Sequence, residues 1–367
     1  MNTIQIYRLL TLFLLLPIIG FATTEIEVDS ITKEKHTKEK IIKKSYNVST
    51  NATLKIDNSY GNLDIVTWNE NRIEIVVTIT VKGNDEEKVQ QKLDDISVDF
   101  SGTNSLVSAE TIFNKSKSNS WWNWSGNNNV NMSINYVVKI PITNSIDLSN
   151  DYGNINVGKL EGRATISCDY GKITTKELMA DNNKISFDYT SNCYFEYIKS
   201  GEINADYSGF TVAKTKNIKI NADYTSSIIE TAEDVNYVCD YGSVKINRAN
   251  NIVGNGDYLT VVIGDVYKNV TLEADYGSIK IENMTEKAGN VTIESDYTGI
   301  KIGHAPTYNF NFDIHLEYAS LNDSGFEFNK KREESGEKYY AGYYGSSNSG
   351  NLIKIESDYG SVTFNKN

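Results

Sequence analysis

Apolar and polar residues alternate at period two through most of the chain, and the alternation resets at one recurring phrase. The phrase reads "SCDYGKITT", "NADYSGFTV", "NADYTSSII", "VCDYGSVKI", "EADYGSIKI", "ESDYTGIKI" and "ESDYGSVTF". Four residues before its tyrosine stand Leu148, Ile166, Ile185, Ile203, Ile220, Leu272, Ile293, Ile314 and Ile355. Two residues before it the side chain is usually small, as at Cys168, Ala205, Ala222, Cys239, Ala274, Ser295 and Ser357. Three and five residues after it stand pairs such as Val244 and Ile246, Ile279 and Ile281, Ile300 and Ile302, and Val362 and Phe364. Alternation of this kind marks half-buried strands. Parity changes between the two strands, so the chain must turn a corner at the Tyr-Gly step. Gly153, Gly171, Gly242, Gly277 and Gly360 are expected to supply a positive φ there.

The motif tyrosines fall at 60, 152, 170, 189, 207, 224, 241, 258, 276, 297, 318 and 359. From Tyr152 to Tyr276 the steps are 17 to 19 residues, then two of 21, then a gap of 41 that holds an insertion. Self-similarity at a fixed period predicts an all-β, parallel β-solenoid (β-helix) of about 18-residue coils, each covering the next. Hairpins are disfavoured, because antiparallel copies would not place like residues over like. The tyrosines are expected to stack up the corner.

The solenoid is assigned to residues 141–367, with an insertion at 325–350 followed by one final coil. The aromatic run Tyr339, Tyr340, Tyr343 and Tyr344 in that insertion is expected to pack as the terminal cap. Residues 45–140 read as an N-terminal cap of strands and one short helix in "NDEEKVQQKLDDI", with Asn84 as N-cap and Val89, Leu93 and Ile96 on one face. Residues 1–22 carry Arg8, an apolar run from Leu9 to Ile19, then Gly20 and Ala22, the layout of an export signal. Residues 23–44 read as a flexible, charged leader. The mature chain is therefore expected to be exported, to the periplasm, the outer surface or the medium, with no transmembrane segment. Cys168, Cys193 and Cys239 sit at core-like positions and are expected to be buried thiols.

These features resemble the putative-adhesin family of exported bacterial β-solenoid proteins of the Bacteroidetes type. The resemblance rests on the "xIxADYGxIxI" copies, the "YVVKIP" strand before them and the closing "GSVTF", and covers about residues 45–367. It implies a parallel β-helix and a cell-surface or envelope binding role with no defined reaction. The chain departs from it in the regularity of its Asp-Tyr pair and in a Trp-rich loop.

The charge balance, 36 basic against 48 acidic residues, argues against a nucleic-acid partner. His36, His304 and His315 are scattered and give no triad or metal spacing. The chain is thus expected to be no enzyme and to need no cofactor, with an adhesin-like or structural envelope role. An envelope partner in signalling and a carbohydrate-active β-helix enzyme are the alternatives. Directly before the tyrosines runs a row of acids that includes Asp206, Asp223, Asp240, Asp257 and Asp275. These read as turn residues that accept backbone N–H bonds, with a cation-binding stripe as the alternative. The turn bonds are expected to outweigh repulsion between carboxylates and to hold their pKa values down. The remaining candidate is Trp121, Trp122 and Trp124 in "NKSKSNSWWNWSGNNN", which either fold onto the cap or form a platform for a glycan or protein surface.

Overall fold

Each motif tyrosine marks the place where one strand ends and the next begins. The computed structural model describes residues 34–114 and 130–367. The described residues are all-β except for one helix, α1 (Glu86–Asp94). The strand before each tyrosine pairs in parallel with the strand before the next tyrosine, from Ser145–Asp151 up to Val291–Asp296. The strands after the tyrosines form a second parallel ladder in the same way. Register is set so that Leu148, Ile166, Ile185, Ile203 and Ile220 succeed one another, all buried. Each such side chain contributes about 1.5–3 kcal/mol by leaving water. A slip of one residue would turn the whole row outward.

Where one layer departs from the pattern, its neighbour compensates. Tyr237 occupies an isoleucine position and is buried, and its partner on the next strand is Gly254. A Cβ on Gly254 would run into the Tyr237 ring. Close-packed interiors tolerate a large side chain only where a neighbour is small. Cys168, Cys193 and Cys239 are buried and unbridged.

The corner differs from the expectation in one respect. The residue with positive φ is the tyrosine: all twelve motif tyrosines lie between 49° and 63°, whereas none of the five following glycines does. Those glycines are required for another reason. A Cβ on Gly153, Gly171, Gly242, Gly277 or Gly360 would strike the backbone carbonyl of the neighbouring repeat. Serine or threonine is accepted at the same place in other repeats. There the hydroxyls of Thr190, Ser208, Thr225 and Thr298 donate to the carbonyl of the preceding aspartate.

The ends break the simple succession. Strand Thr53–Ser59 lies between Ser145–Asp151 and Leu106–Phe113, and Leu63–Trp68 lies between Ile155–Val157 and Val130–Pro141, all in parallel. Beyond them the pairing turns antiparallel. Arg72–Gly83 adds to Val130–Pro141, His36–Asn47 adds to Arg72–Gly83, and Ile96–Gly102 adds to Leu106–Phe113. Residues 36–44, expected as part of a flexible leader, are thus an edge strand. Its solvated positions carry lysine and hide the alternation. Helix α1 is capped by Asp85, not Asn84: the Asp85 carboxylate accepts the Lys88 N–H at 3.2 Å. Val89 and Leu93 are its buried face, while Ile96 opens the next strand.

At the other end the insertion is a hairpin. Glu327–Glu334 and Glu337–Tyr344 pair with each other, and the latter pairs antiparallel with Phe310–Glu317. Tyr340 and Tyr344 are buried there. The last strand pair does not close the stack as a terminal layer. It sits inside it, between the Tyr297 and Tyr318 repeats.

Candidate functional site

Two rows run side by side along the corner. The first is the tyrosine stack. Ring centroids of successive motif tyrosines from Tyr60 to Tyr297 are 4.8–5.2 Å apart, with planes within 8° of parallel. Tyr359 and then Tyr318 continue it, at 4.7 and 5.1 Å. This spacing is the distance between paired strands, imposed on the rings by the backbone. The faces cover one another, so the exposed half of each ring is its edge. Eleven of the twelve are between 45% and 61% exposed.

Positive φ is unusual for tyrosine. A left-handed residue costs about 1–2 kcal/mol, and a stacked aromatic pair returns about 0.5–1.5 kcal/mol. The two nearly cancel, so the stack does not by itself stabilise the corner. Backbone bonds complete it. The N–H of each of Tyr170, Tyr189, Tyr207, Tyr224 and Tyr241 donates to the carbonyl of the next repeat's aspartate, at 2.9–3.2 Å.

The second row is the aspartates. Their carboxylates accept from the next repeat and not from their own turn. The N–H of Asp206 donates to Asp188 Oδ1, Asp223 to Asp206, Asp240 to Asp223, and Asp257 to Asp240, at 2.9–3.1 Å. Asp296 donates to Asp275 Oδ1 at 3.0 Å. This relation is visible only once the layers are stacked. The expected lowering of the carboxylate pKa fails at Asp151, Asp257 and Asp358. Lost hydration raises each of the three above the usual carboxylate value, and neighbouring aspartates raise them further. At Asp257 the bond from the Asp275 backbone acts the other way and loses. Tyr170, Tyr241, Tyr276 and Tyr359 are likewise raised, first by lost hydration and then by neighbouring tyrosines and acids. At neutral pH these four tyrosines therefore present neutral phenols beside the acidic row.

Among the described residues, no three His, Cys, Asp or Glu side chains converge on a point that could hold a metal ion. The three histidines lie apart. His36 is 3.8 Å from Glu86, His315 is 3.3 Å from Asp313, and His304 is buried at the C-terminal end. Trp121, Trp122 and Trp124 lie outside the described residues. No helix among those residues is long and apolar enough to cross a membrane.

No family model and no curated protein matches the chain. Solved structures do. The chain is similar to a putative cell adhesion protein from Clostridium sporogenes, at 12% identity over 90% of this chain and 100% of that one, with a TM-score of 0.18. It is similar to a putative adhesin from Parabacteroides merdae, at 11% identity over 89% and 96%, with a TM-score of 0.34. A third, a putative adhesin from Parabacteroides distasonis, has 12% identity over 71% and 92%, with a TM-score of 0.33. These neighbours are of the kind that the repeated motif resembles. At such identities and scores nothing about this chain's ligand follows from theirs.

Proposed function

We propose that the chain is an exported, non-catalytic, adhesin-like binding protein. In this reading its repeats form a parallel β-solenoid, and the tyrosine–aspartate corner is the binding rail. The observation that carries it is the exposure of the stacked tyrosines. A stack that only built the fold would bury its aromatics, whereas these are held half in water at a backbone cost. The solenoid is supported by the two parallel ladders and their like-on-like register. Export is supported by the sequence of residues 1–22.

A rail of ring edges, hydroxyls and carboxylates suits an extended, hydroxyl-rich and uncharged partner, such as a neutral glycan. The acidic row and the net charge of −12 disfavour polyanions. Replacing Tyr207, Tyr224 and Tyr241 together by Asn keeps a residue type that accepts positive φ. The variant is expected to stay folded and to lose adhesion to neutral glycans or intact cells. Unchanged adhesion would remove the rail from consideration. The loop with Trp121, Trp122 and Trp124 is the second proposed surface. Shortening residues 116–128 to a Gly-Ser link, with the tyrosines intact, separates the two.

A further inference from the structure

The strand pair that ends the chain fills a slot between two other repeats. Leu352–Asp358 pairs in parallel with Val291–Asp296 on one side and Phe310–Glu317 on the other. Val362–Lys366 likewise lies between Gly299–His304 and Leu321–Asn322. Both walls bond to it: the Tyr297 N–H donates to the Asp358 carbonyl, and the Tyr359 N–H donates to the Glu317 carbonyl, each at 2.8 Å. Ile353, Ile355, Val362 and Phe364 are buried in it, and Phe364 packs on Phe326 at 4.9 Å.

Without this segment the slot would expose two strand edges with unpaired backbone groups, one on each side. Such edges are templates for any strand of matching alternation. The occupant reaches the slot through residues 345–351, "GSSNSGN", a run of small polar residues. Its sequence "IESDYGSVTF" closely parallels "IESDYTGIKI" in the wall beside it. Nothing in the slot distinguishes the chain's own segment from the same segment of another copy. Every repeat from Tyr170 to Tyr276 is fixed between chain neighbours on both sides and has no such freedom.

We propose that the slot is an exchange site, and that residues 345–367 of one copy can occupy the slot of a second copy, reciprocally. The partner that fits is another copy of this chain. A short tether gives the chain's own segment an effective concentration in the millimolar range, so dilute refolding favours the closed form. Crowded refolding favours exchange.

Ser295 and Ser357 face each other across the slot wall, with their Oγ atoms 3.2 Å apart. Cysteine is accepted at the equivalent position of other repeats, at Cys168 and Cys239. Paired strands bring two such cysteines within disulfide reach. A copy carrying both Ser295→Cys and Ser357→Cys should form an internal disulfide, which checks the geometry. One copy with only Ser295→Cys and another with only Ser357→Cys are then unfolded, mixed, refolded at high concentration and mildly oxidised. Exchange is expected to give a dimer linked between positions 295 and 357, read by non-reducing electrophoresis and peptide mass. A mixture of Ala205→Cys and Ala222→Cys copies, from the uninterrupted middle, sets the background. A 295–357 link no more abundant than that background overturns the proposal.

Discussion

From Tyr152 to Tyr297 the order of repeats along the chain is their order in space; at both ends the two orders part. In the middle each layer meets a near copy of itself above and below, so position follows from succession. At the ends there is no further copy to cover the last strand. There the chain doubles back and sandwiches its first and last motif repeats between other strands. It then lays antiparallel strands outside them. The middle is governed by the packing of like on like, and the ends by the hazard of open edges.

The comparison is broken most directly inside the middle. Ala222 is buried directly after strand Thr215–Asn221, which is paired on both sides. Ala222→Asp places an unpaired charge there and is expected to cost about 3–5 kcal/mol. Phe328, on the outer strand Glu327–Glu334, is 37% exposed. Phe328→Asp is expected to cost about 1 kcal/mol or less. Urea denaturation of both variants measures the difference. Equal costs would mean that the layers do not hold one another as described.

The corner separates backbone from stack. Tyr224 has φ 53° and stacks on Tyr207 and Tyr241 at 4.8 and 4.9 Å. Tyr224→Asn loses two aromatic contacts but relieves the backbone cost, and is expected to cost about 1 kcal/mol or less. Tyr224→Val loses the same contacts and strains the backbone, for about 1–2 kcal/mol more. Denaturation midpoints that rank Val at or above Asn would show that the positive φ carries no cost.

Those two variants also bear on what was legible in the sequence. The alternation and the step near 18 residues were enough for the two ladders, because both are set by local pattern. The seat of the positive φ was misplaced by one residue. A clue was present, since Thr190, Ser208, Thr225, Leu259 and Thr298 replace the glycine while the tyrosine persists. The position of the last repeat left no trace, because its motif fits either neighbour equally well. The strand His36–Asn47 was hidden because an edge strand is solvated along most of its length. The aspartate row was legible in place, yet not in its partners, which lie one layer away.

Acid should distinguish the C-terminal end from the middle. His304 is buried, its Nδ1 is 3.1 Å from the Ala305 carbonyl, and its ring packs edge-on against Tyr344 at 4.5 Å. Burial lowers its pKa below 6.5, and Lys366 lowers it further. A base with a lowered folded pKa leaves the unfolded chain with more bound protons in the window below 6.5. Its contribution is therefore complete above that value and is lost as pH falls through the window. Asp358, raised above 3.8 at the same end, acts with the opposite sign at lower pH. Between pH 7 and 5.5, amide protection, taken relative to the intrinsic exchange rate at each pH, is expected to fall in Gly299–His304 and Val362–Lys366 and not in Thr215–Asn221. His304→Phe should abolish the response. If it persists in that variant, another group controls it.

The smallest energetic effect concerns the outermost strands, where stability and solubility come apart. Among the described residues strand Glu327–Glu334 has one paired edge, every residue of it is exposed, and it carries Lys330, Lys331 and Arg332. Lys331 lies 3.1 Å from Glu333, an exposed ion pair worth little. Replacing Lys331 and Arg332 by Thr is therefore expected to shift folding stability by no more than about 0.5 kcal/mol. It removes the charges that keep a second strand from adding to the free edge. Sedimentation should then show oligomers that grow with concentration while the melting temperature stays nearly unchanged. Lys219 provides the contrast, because its strand Thr215–Asn221 is paired on both edges. Lys219→Thr removes an equally exposed charge and is expected to leave the protein in its parent state of association. If Lys219→Thr associates as strongly as the edge variant, loss of an exposed lysine anywhere, and not the open edge, is what lets copies associate.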